Sequence, residues 1–251
     1  MLKKKYNIIT LIPARMNSTR FPNKPMAKIN GIPMIGHVYL NASKSKLIDR
    51  TYVATCDKKI YDYICSIKGN AIMTSNKHKR ASDRCAEALK KIEKKNKKKY
   101  DIVVMVQGDE PMVNSKMINA AIKPIRNNNN IKVVNLFSRI KNIHEFRNKN
   151  IVKVILNNKN YAINFGRKFP DEYFYNKKIS IGKQICIIPF RRDMLLNYLS
   201  LQPTFLEEFH SIDMLRLIEN NVQIYIQYSN QNSYCVDTPS DLIVVRKLMK
   251  N

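Results

Sequence analysis

The chain has 251 residues, 44% of them hydrophobic, and its 45 Lys and Arg against 19 Asp and Glu give a formal net charge of +26. No signal-peptide pattern or apolar run of membrane length is visible, so a soluble globular protein is expected rather than a secreted or membrane-spanning one. Cys56, Cys65, Cys85, Cys186 and Cys235 are scattered, odd in number and never spaced as CxxC, which argues against a disulfide framework or zinc knuckle and for a reduced, cytoplasmic chain.

In chain order, the patterns predict a strand over residues 6–12, a helix over 34–43, a strand over 51–54, helices over 59–68 and 82–93, and a strand over 102–106. Strands follow at 132–137, 152–156, 161–165, 185–189 and 223–228. Strands alternating with helices imply right-handed βαβ units and a mostly parallel α/β sheet of the Rossmann-like kind, covered by helices on both faces. Two strands back to back around "NNKN" read as a hairpin, so the sheet is mixed. No repeat or linker interrupts the pattern, and one domain spanning 1–251 is expected. The Lys-rich run "KKIEKKNKKKY" at 90–100 has no interleaved aromatics on which bases could stack, so it reads as a solvated helix end. The charge alone therefore does not argue for a nucleic-acid partner.

Ligands of such sheets sit beyond the carboxyl ends of the strands. The first strand runs into "LIPARMNSTRFPNKP", which delivers Arg15, Arg20 and Lys24 within a short irregular stretch. Cations and free amides there suit a polyphosphate, although the stretch lacks the glycines of a Walker loop, and a basic surface loop is the alternative. The strand at 102–106 ends in "QGDEP", so Gln107, Gly108, Asp109 and Glu110 emerge at the ligand side, where a carboxylate suits a hard divalent cation or simply an acidic turn. In "CVDTPSDL", Thr238, Pro239 and Asp241 form a helix start that leaves Asp237 outside the capping chemistry. Two buried acids with no compensating charge would cost on the order of 3–5 kcal/mol. A cation between Asp109 and Asp237 would remove that cost.

The stretch "IPARMNSTRFPNKPM" resembles the nucleotide-binding signature of sugar nucleotidyltransferases, and more closely that of the 3-deoxy-manno-octulosonate (Kdo) cytidylyltransferases. The similarity continues in order through "GIPMIGHVY", "VATCD", "SDRCAEA", "VQGDEP", "NIVKVI", "PTFLEE" and "CVDTP". It implies transfer of CMP from CTP to the anomeric hydroxyl of Kdo, with release of pyrophosphate and dependence on Mg²⁺. By motif position it implies that Arg15 and Lys24 hold the triphosphate, that Asn17, Ser18 and Gln107 lie near the nucleotide, and that Asp109 and Asp237 bind magnesium. Catalysis would then fall to Asp109, Asp237, Lys24 and Arg15. It further implies a homodimer formed through an inserted segment over roughly 141–181.

Ser82 and Arg84, in "RASDR" at a helix start, fall near the nucleotide; Arg84 and Arg167 are candidates for the acceptor's carboxylate or the nucleotide, or are surface arginines. The pattern departs from the family at "QICIIPF", where Gln184 stands for a histidine, at "DMLR", where Asp213 and Met214 stand for Glu-Gln, and at Arg80-Ala81 before Ser82. Gln184 and Asp213 therefore mark the acidic-sugar side, and lost hydrogen-bonding groups there raise a different 3-deoxy-2-keto acid, 8-amino-Kdo or a nonulosonic acid, as the alternative acceptor. His37, His78, His144 and His210 lack metal-ligand spacing and read as structural or surface residues. "VATCD" reads as a strand end, where Asp57 is expected to hold the loop.

Overall fold

A computed structural model describes residues 6–231 and 233–250. Strand β1 (Ile8–Ala14) has seven buried residues in succession, as a central strand covered on both faces requires. A small hairpin follows, β2 (Lys28–Ile29) and β3 (Ile32–Pro33), turning through Asn30 and Gly31, both at positive φ as a tight Asn-Gly turn demands. Then come α1 (Met34–Ala42), β4 (Arg50–Thr55), α2 (Lys58–Ser66), β5 (Ala71–Met73), α3 (Ala81–Asn96), β6 (Ile102–Val106), α4 (Ser115–Asn127) and β7 (Val133–Ser138). The second half comprises α5 (Ile143–Arg147), β8 (Lys153–Leu156), β9 (Ala162–Gly166), α6 (Glu172–Tyr175), β10 (Ser180–Ile185), β11 (Ile187–Arg191), α7 (Arg192–Tyr198), α8 (Phe205–His210), α9 (Asp213–Glu219), β12 (Ile224–Tyr228) and α10 (Pro239–Leu248).

One mixed sheet runs β5-β4-β1-β6-β11-β7-β10-β8-β9, with β12 added against β7. β5, β4, β1 and β6 are parallel, β12 is parallel to β7, and β10 and β11 run antiparallel to their neighbours. The hairpin expected around "NNKN" is the β8–β9 pair. Alternation along β1 divides the core between the two faces: Ile9 and Leu11 pack with Leu89 of α3, Leu195 of α7 and Leu215 of α9, whereas Ile8 and Ile12 pack with Val38 of α1, Ile60 of α2 and Ile122 of α4. A third cluster sets Val236, Leu242 and Val245 against Ile29 and Met34, seating α10 on the small hairpin.

Three expectations change. β1 begins and ends two residues later than the predicted run at 6–12 and reaches Ala14, carrying Pro13 into the sheet. The predicted single strand at 185–189 is two strands broken at Cys186: β10 lies between β7 and β8, and after the break β11 lies between β6 and β7. β5, β10 and several short helices carry too little periodicity to stand out in the sequence. The Lys-rich helix end is solvated as expected, with residues 94–99 exposed and Ile92 and Tyr100 buried at its margins. Among the described residues no helix is long and apolar enough to cross a membrane.

Candidate active site

Beyond the carboxyl ends of β1 and β6 opens a cleft of about 1160 Å³. The loop after β1 is fixed at its start, where the Met16 amide donates to Asp57 Oδ2 at 2.9 Å, and closed where the Asn23 amide donates to the Met16 carbonyl at 3.1 Å. Asp57 thus holds this loop. Asn23 is left-handed at φ 60, and a 3-10 turn over Lys24–Met26 follows, directing the Lys24 side chain inward. Gly108, after β6, lies so near β1 that a Cβ would come within 2.9 Å of the Pro13 carbonyl oxygen. Glycine therefore lets the Asp109 turn close onto the end of β1.

The segment before α10 forms the third side of the cleft. The Val236 amide donates to the Asp109 carbonyl at 2.9 Å, which ties the two acid-bearing segments together. Asp241 accepts from the Thr238 and Asp237 amides in a capping box, leaving the Asp237 carboxylate to face the cleft. Lys24 Nζ lies 2.8 Å from Asp109 Oδ2 and 3.2 Å from Asp237 Oδ1, and Arg20 Nη2 lies 2.9 Å from that same Asp237 oxygen. The two aspartates expected to meet do meet, around an ammonium.

Burial pushes the Lys24 amine down, but Asp109, Cys235 and Asp237 outweigh it and hold it above the ordinary lysine range. Glu110 is fully buried and its carboxyl is pushed up to about 7, chiefly by burial, with the Ser233 hydroxyl opposing. It accepts from Ser233 Oγ and, at 3.1 Å, from the Cys186 amide, so it joins the Asp109 turn, the β10–β11 break and the segment leading to Asp237. Asp109 Oδ1 is buried without a hydrogen-bond partner. One ligand atom each from Asp109, Cys235 and Asp237 lie within 4.8 Å of one another. An orphaned carboxylate oxygen beside a second carboxylate is a donor set that fits a hard divalent cation such as Mg²⁺.

Arg15, Asn17, Ser18, Gln107 and Arg84 all line the cleft. Arg15 is exposed and has no partner among the described residues. Arg84 is 3% exposed, donating from Nη1 to Thr74 Oγ1 and the Ser75 carbonyl, while its buried Nη2 has no partner. It is no surface arginine. Ser82 does not join the lining: it is buried, and both its amide and hydroxyl donate to Asp213 Oδ2 at 3.0 Å. That contact also engages Asp213, one of the acceptor-side candidates. Arg167 donates to the carbonyls of Lys149, Asn150 and His210, shaping the far wall. Gln184 lines the cleft with its amide bonded to Asn135 Oδ1, and the Met214 side chain is in the core, 1% exposed.

A family model described as cytidylyltransferase matches residues 9–232. A 3-deoxy-manno-octulosonate cytidylyltransferase of Trichlorobacter lovleyi is 39% identical over 254 residues, covering 97% of this chain and 98% of that one. The enzyme of the same name from Thermodesulfovibrio yellowstonii is 39% identical over 249 residues, covering 96% and 97%. The chain belongs to the 3-deoxy-manno-octulosonate cytidylyltransferase family. A solved CMP:2-keto-3-deoxy-manno-octonic acid synthetase complexed with CTP superposes with a TM-score of 0.85 at 31% identity, covering 97% of this chain and 98% of the other. A 4-diphosphocytidyl-2C-methyl-D-erythritol synthase from Anaerococcus prevotii, at 15% identity and a TM-score of 0.66, shares the fold. The mixed, mostly parallel sheet with helices is the nucleotidyltransferase-like fold of these proteins.

Within this Kdo cytidylyltransferase family member, the sequence put Arg20 among the cations of the phosphate stretch and Glu110 at the ligand side without giving the partner of either, and did not single out Ser233. Arg20 was legible as a cation in the motif stretch, but its bond to Asp237 spans 217 positions. Of the histidines, His37 is structural, bonding the Ile29 carbonyl, and His78, His144 and His210 line the cleft.

Proposed function

We propose that the chain transfers CMP from CTP to the anomeric hydroxyl of Kdo, releasing pyrophosphate, in the cytoplasm and for the synthesis of lipopolysaccharide or capsule. The observation that carries this is the meeting of Lys24 with Asp109 and Asp237 in a cation-lined cleft. It occurs in a chain whose relatives, over nearly their full length, are Kdo cytidylyltransferases.

In the reaction the C2 hydroxyl oxygen of the sugar bonds to the α-phosphorus, and the bond from that phosphorus to the bridging oxygen breaks as pyrophosphate leaves with the electron pair. The chain contributes mainly position and charge. Lys24, Arg15 and Arg20 offset the triphosphate's charge, and the unpartnered Nη2 of Arg84 offers a donor to the nucleotide. Asp109 and Asp237 would hold Mg²⁺, which when bound supplies neutralisation of phosphate oxygens and a lowered pKa for the attacking hydroxyl. Gln107, Asn17 and Ser18 line the nucleotide side; Arg167 and Gln184, both in the cleft lining, serve the acceptor side, where the sugar carboxylate needs a cation.

Kdo stands ahead of 8-amino-Kdo or a nonulosonic acid because the near-full-length relatives carry the Kdo name. The residues that raised the alternative, Gln184, Asp213 and Met214, line the cleft, but Gln184 is bonded to Asn135, Asp213 to Ser82, and Met214 packs into the core behind it. A homodimer through residues 141–181 is supported by β9, which ends the sheet, and by the exposed Ile163 and Tyr175 nearby. The test is pyrophosphate release from CTP with Kdo, 8-amino-Kdo and a nonulosonic acid, each with and without Mg²⁺. Release that is fastest with Kdo and requires magnesium is expected; faster release with either other sugar overturns the acceptor assignment.

A further inference from the structure

We infer that Cys235 completes, with Asp109 and Asp237, a site for a thiophilic divalent cation such as Zn²⁺ or Cd²⁺, which competes there with magnesium. The inference rests on the proposed function for the role of the carboxylate pair and goes beyond it in bringing a sulfur ligand into the same site.

The sulfur and the two carboxylate oxygens lie within 4.8 Å of one another, close enough to face one ion. The backbone holds them there, since Val236, the residue after Cys235, bonds the Asp109 carbonyl at 2.9 Å. Two further observations mark the point between them as a cation position. Lys24 Nζ already bridges both carboxylates, and Asp109 Oδ1 is buried with nothing to accept from. Sulfur is a poor ligand for magnesium, which prefers oxygen, so the hard-ion site is left to the aspartates.

A soft ion changes the ligand set. Zn²⁺ and Cd²⁺ take thiolate readily, and a metal-bound thiol gives up its proton. Two carboxylates and one thiolate satisfy three positions of a tetrahedral ion and leave a fourth for water or a phosphate oxygen. On binding, the ion takes the place of the Lys24 ammonium between the carboxylates, and the Cys235 proton passes to solvent. No electron changes hands.

The experiment titrates the full, metal-stripped chain with CdCl₂ and follows the ultraviolet thiolate-to-cadmium charge-transfer band. One saturable band is expected in the parent and in Cys186→Ser, which removes the other cysteine lining the cleft. The band should vanish in Cys235→Ser and Cys235→Ala, whichever folds better, and Cd²⁺ affinity should fall about ten- to a hundredfold in Asp237→Asn. Magnesium affinity, measured by calorimetry, should be nearly the same in Cys235→Ser as in the parent. A band that persists without Cys235, or a Cd²⁺ affinity indifferent to Asp237, overturns the inference. Because the readout is a metal–sulfur band, a chain inactive with CTP and Kdo still tests it, and the two failures stay separate.

Discussion

Replacing Lys24 by methionine removes the ammonium shared by Asp109 and Asp237 while keeping most of the aliphatic stem. Contacts at 2.8 and 3.2 Å are each worth roughly 5–6 kcal/mol of gross attraction at an effective dielectric near 20. With the ammonium gone, carboxylate oxygens within 4.8 Å of each other repel by at least about 3.5 kcal/mol on the same scale. Relief of the lysine's own desolvation offsets much of the loss, and Arg20 still neutralises Asp237 in part. Breaking a buried pair typically costs about 3–5 kcal/mol, and with these side chains 12% to 17% exposed the lower end applies. At about 2–4 °C per kcal/mol for a chain of this length, Lys24→Met should melt roughly 6–12 °C below the parent. Excess Mg²⁺ should restore more of that loss than it adds to the parent, in which the ion must first displace an ammonium. Thermal melts by circular dichroism, with and without MgCl₂, make the measurement. A variant that melts with the parent and gains no more from magnesium refutes the reasoning.

Asp109→Asn should lower kcat about 10²–10³-fold while changing CTP binding far less, because the lost charge matters most as negative charge shifts during phosphoryl transfer; steady-state turnover set beside equilibrium nucleotide binding separates the two. Glu207→Gln strikes a fully buried carboxylate that meets Arg216 at 2.6 and 2.8 Å, Arg80 at 3.1 Å and Tyr198 at 3.1 Å. It should cost about 3–5 kcal/mol in urea unfolding, and a loss below 1 kcal/mol would contradict that picture. Against the pull of burial, Lys91, the Ser75 amide and His78 lower the Glu87 carboxyl to about 2 from its ordinary 4.5. Its stabilising contribution is therefore complete above pH 4.5 and lost as the pH falls toward 2. Glu87→Gln should flatten acid unfolding in that window, and an unchanged acid limb would contradict the assignment.

What could be read from the sequence followed from local rules. The unbroken apolar run of β1, the strand ending in Gln107-Gly108-Asp109 and the Thr238-Pro239-Asp241 helix start each carry their geometry within a few residues. The β10–β11 break at Cys186 could not be read, because an apolar run continues through it and only the exchange of neighbours in the sheet reveals the bend. Ser82 and Asp213 show a second limit. Each has a residue type suited to a ligand, yet they satisfy one another across 131 positions, and a polar side chain in sequence does not say whether its partner is a substrate or another part of the chain. The Asp109–Asp237 meeting lay between these cases: topology put both at the same end of the sheet, but the lysine and arginine that bridge them came only with the fold.

Lys24 and Asp237 stand 213 positions apart, and their contact is seated by α10 packing on the small hairpin. A chain emerging from the ribosome can therefore assemble its phosphate loop early, yet it has no acid pair until the segment bearing Asp237 has been made and docked. Premature termination upstream of that segment leaves a chain with neither the second carboxylate nor the α10 packing that seats it.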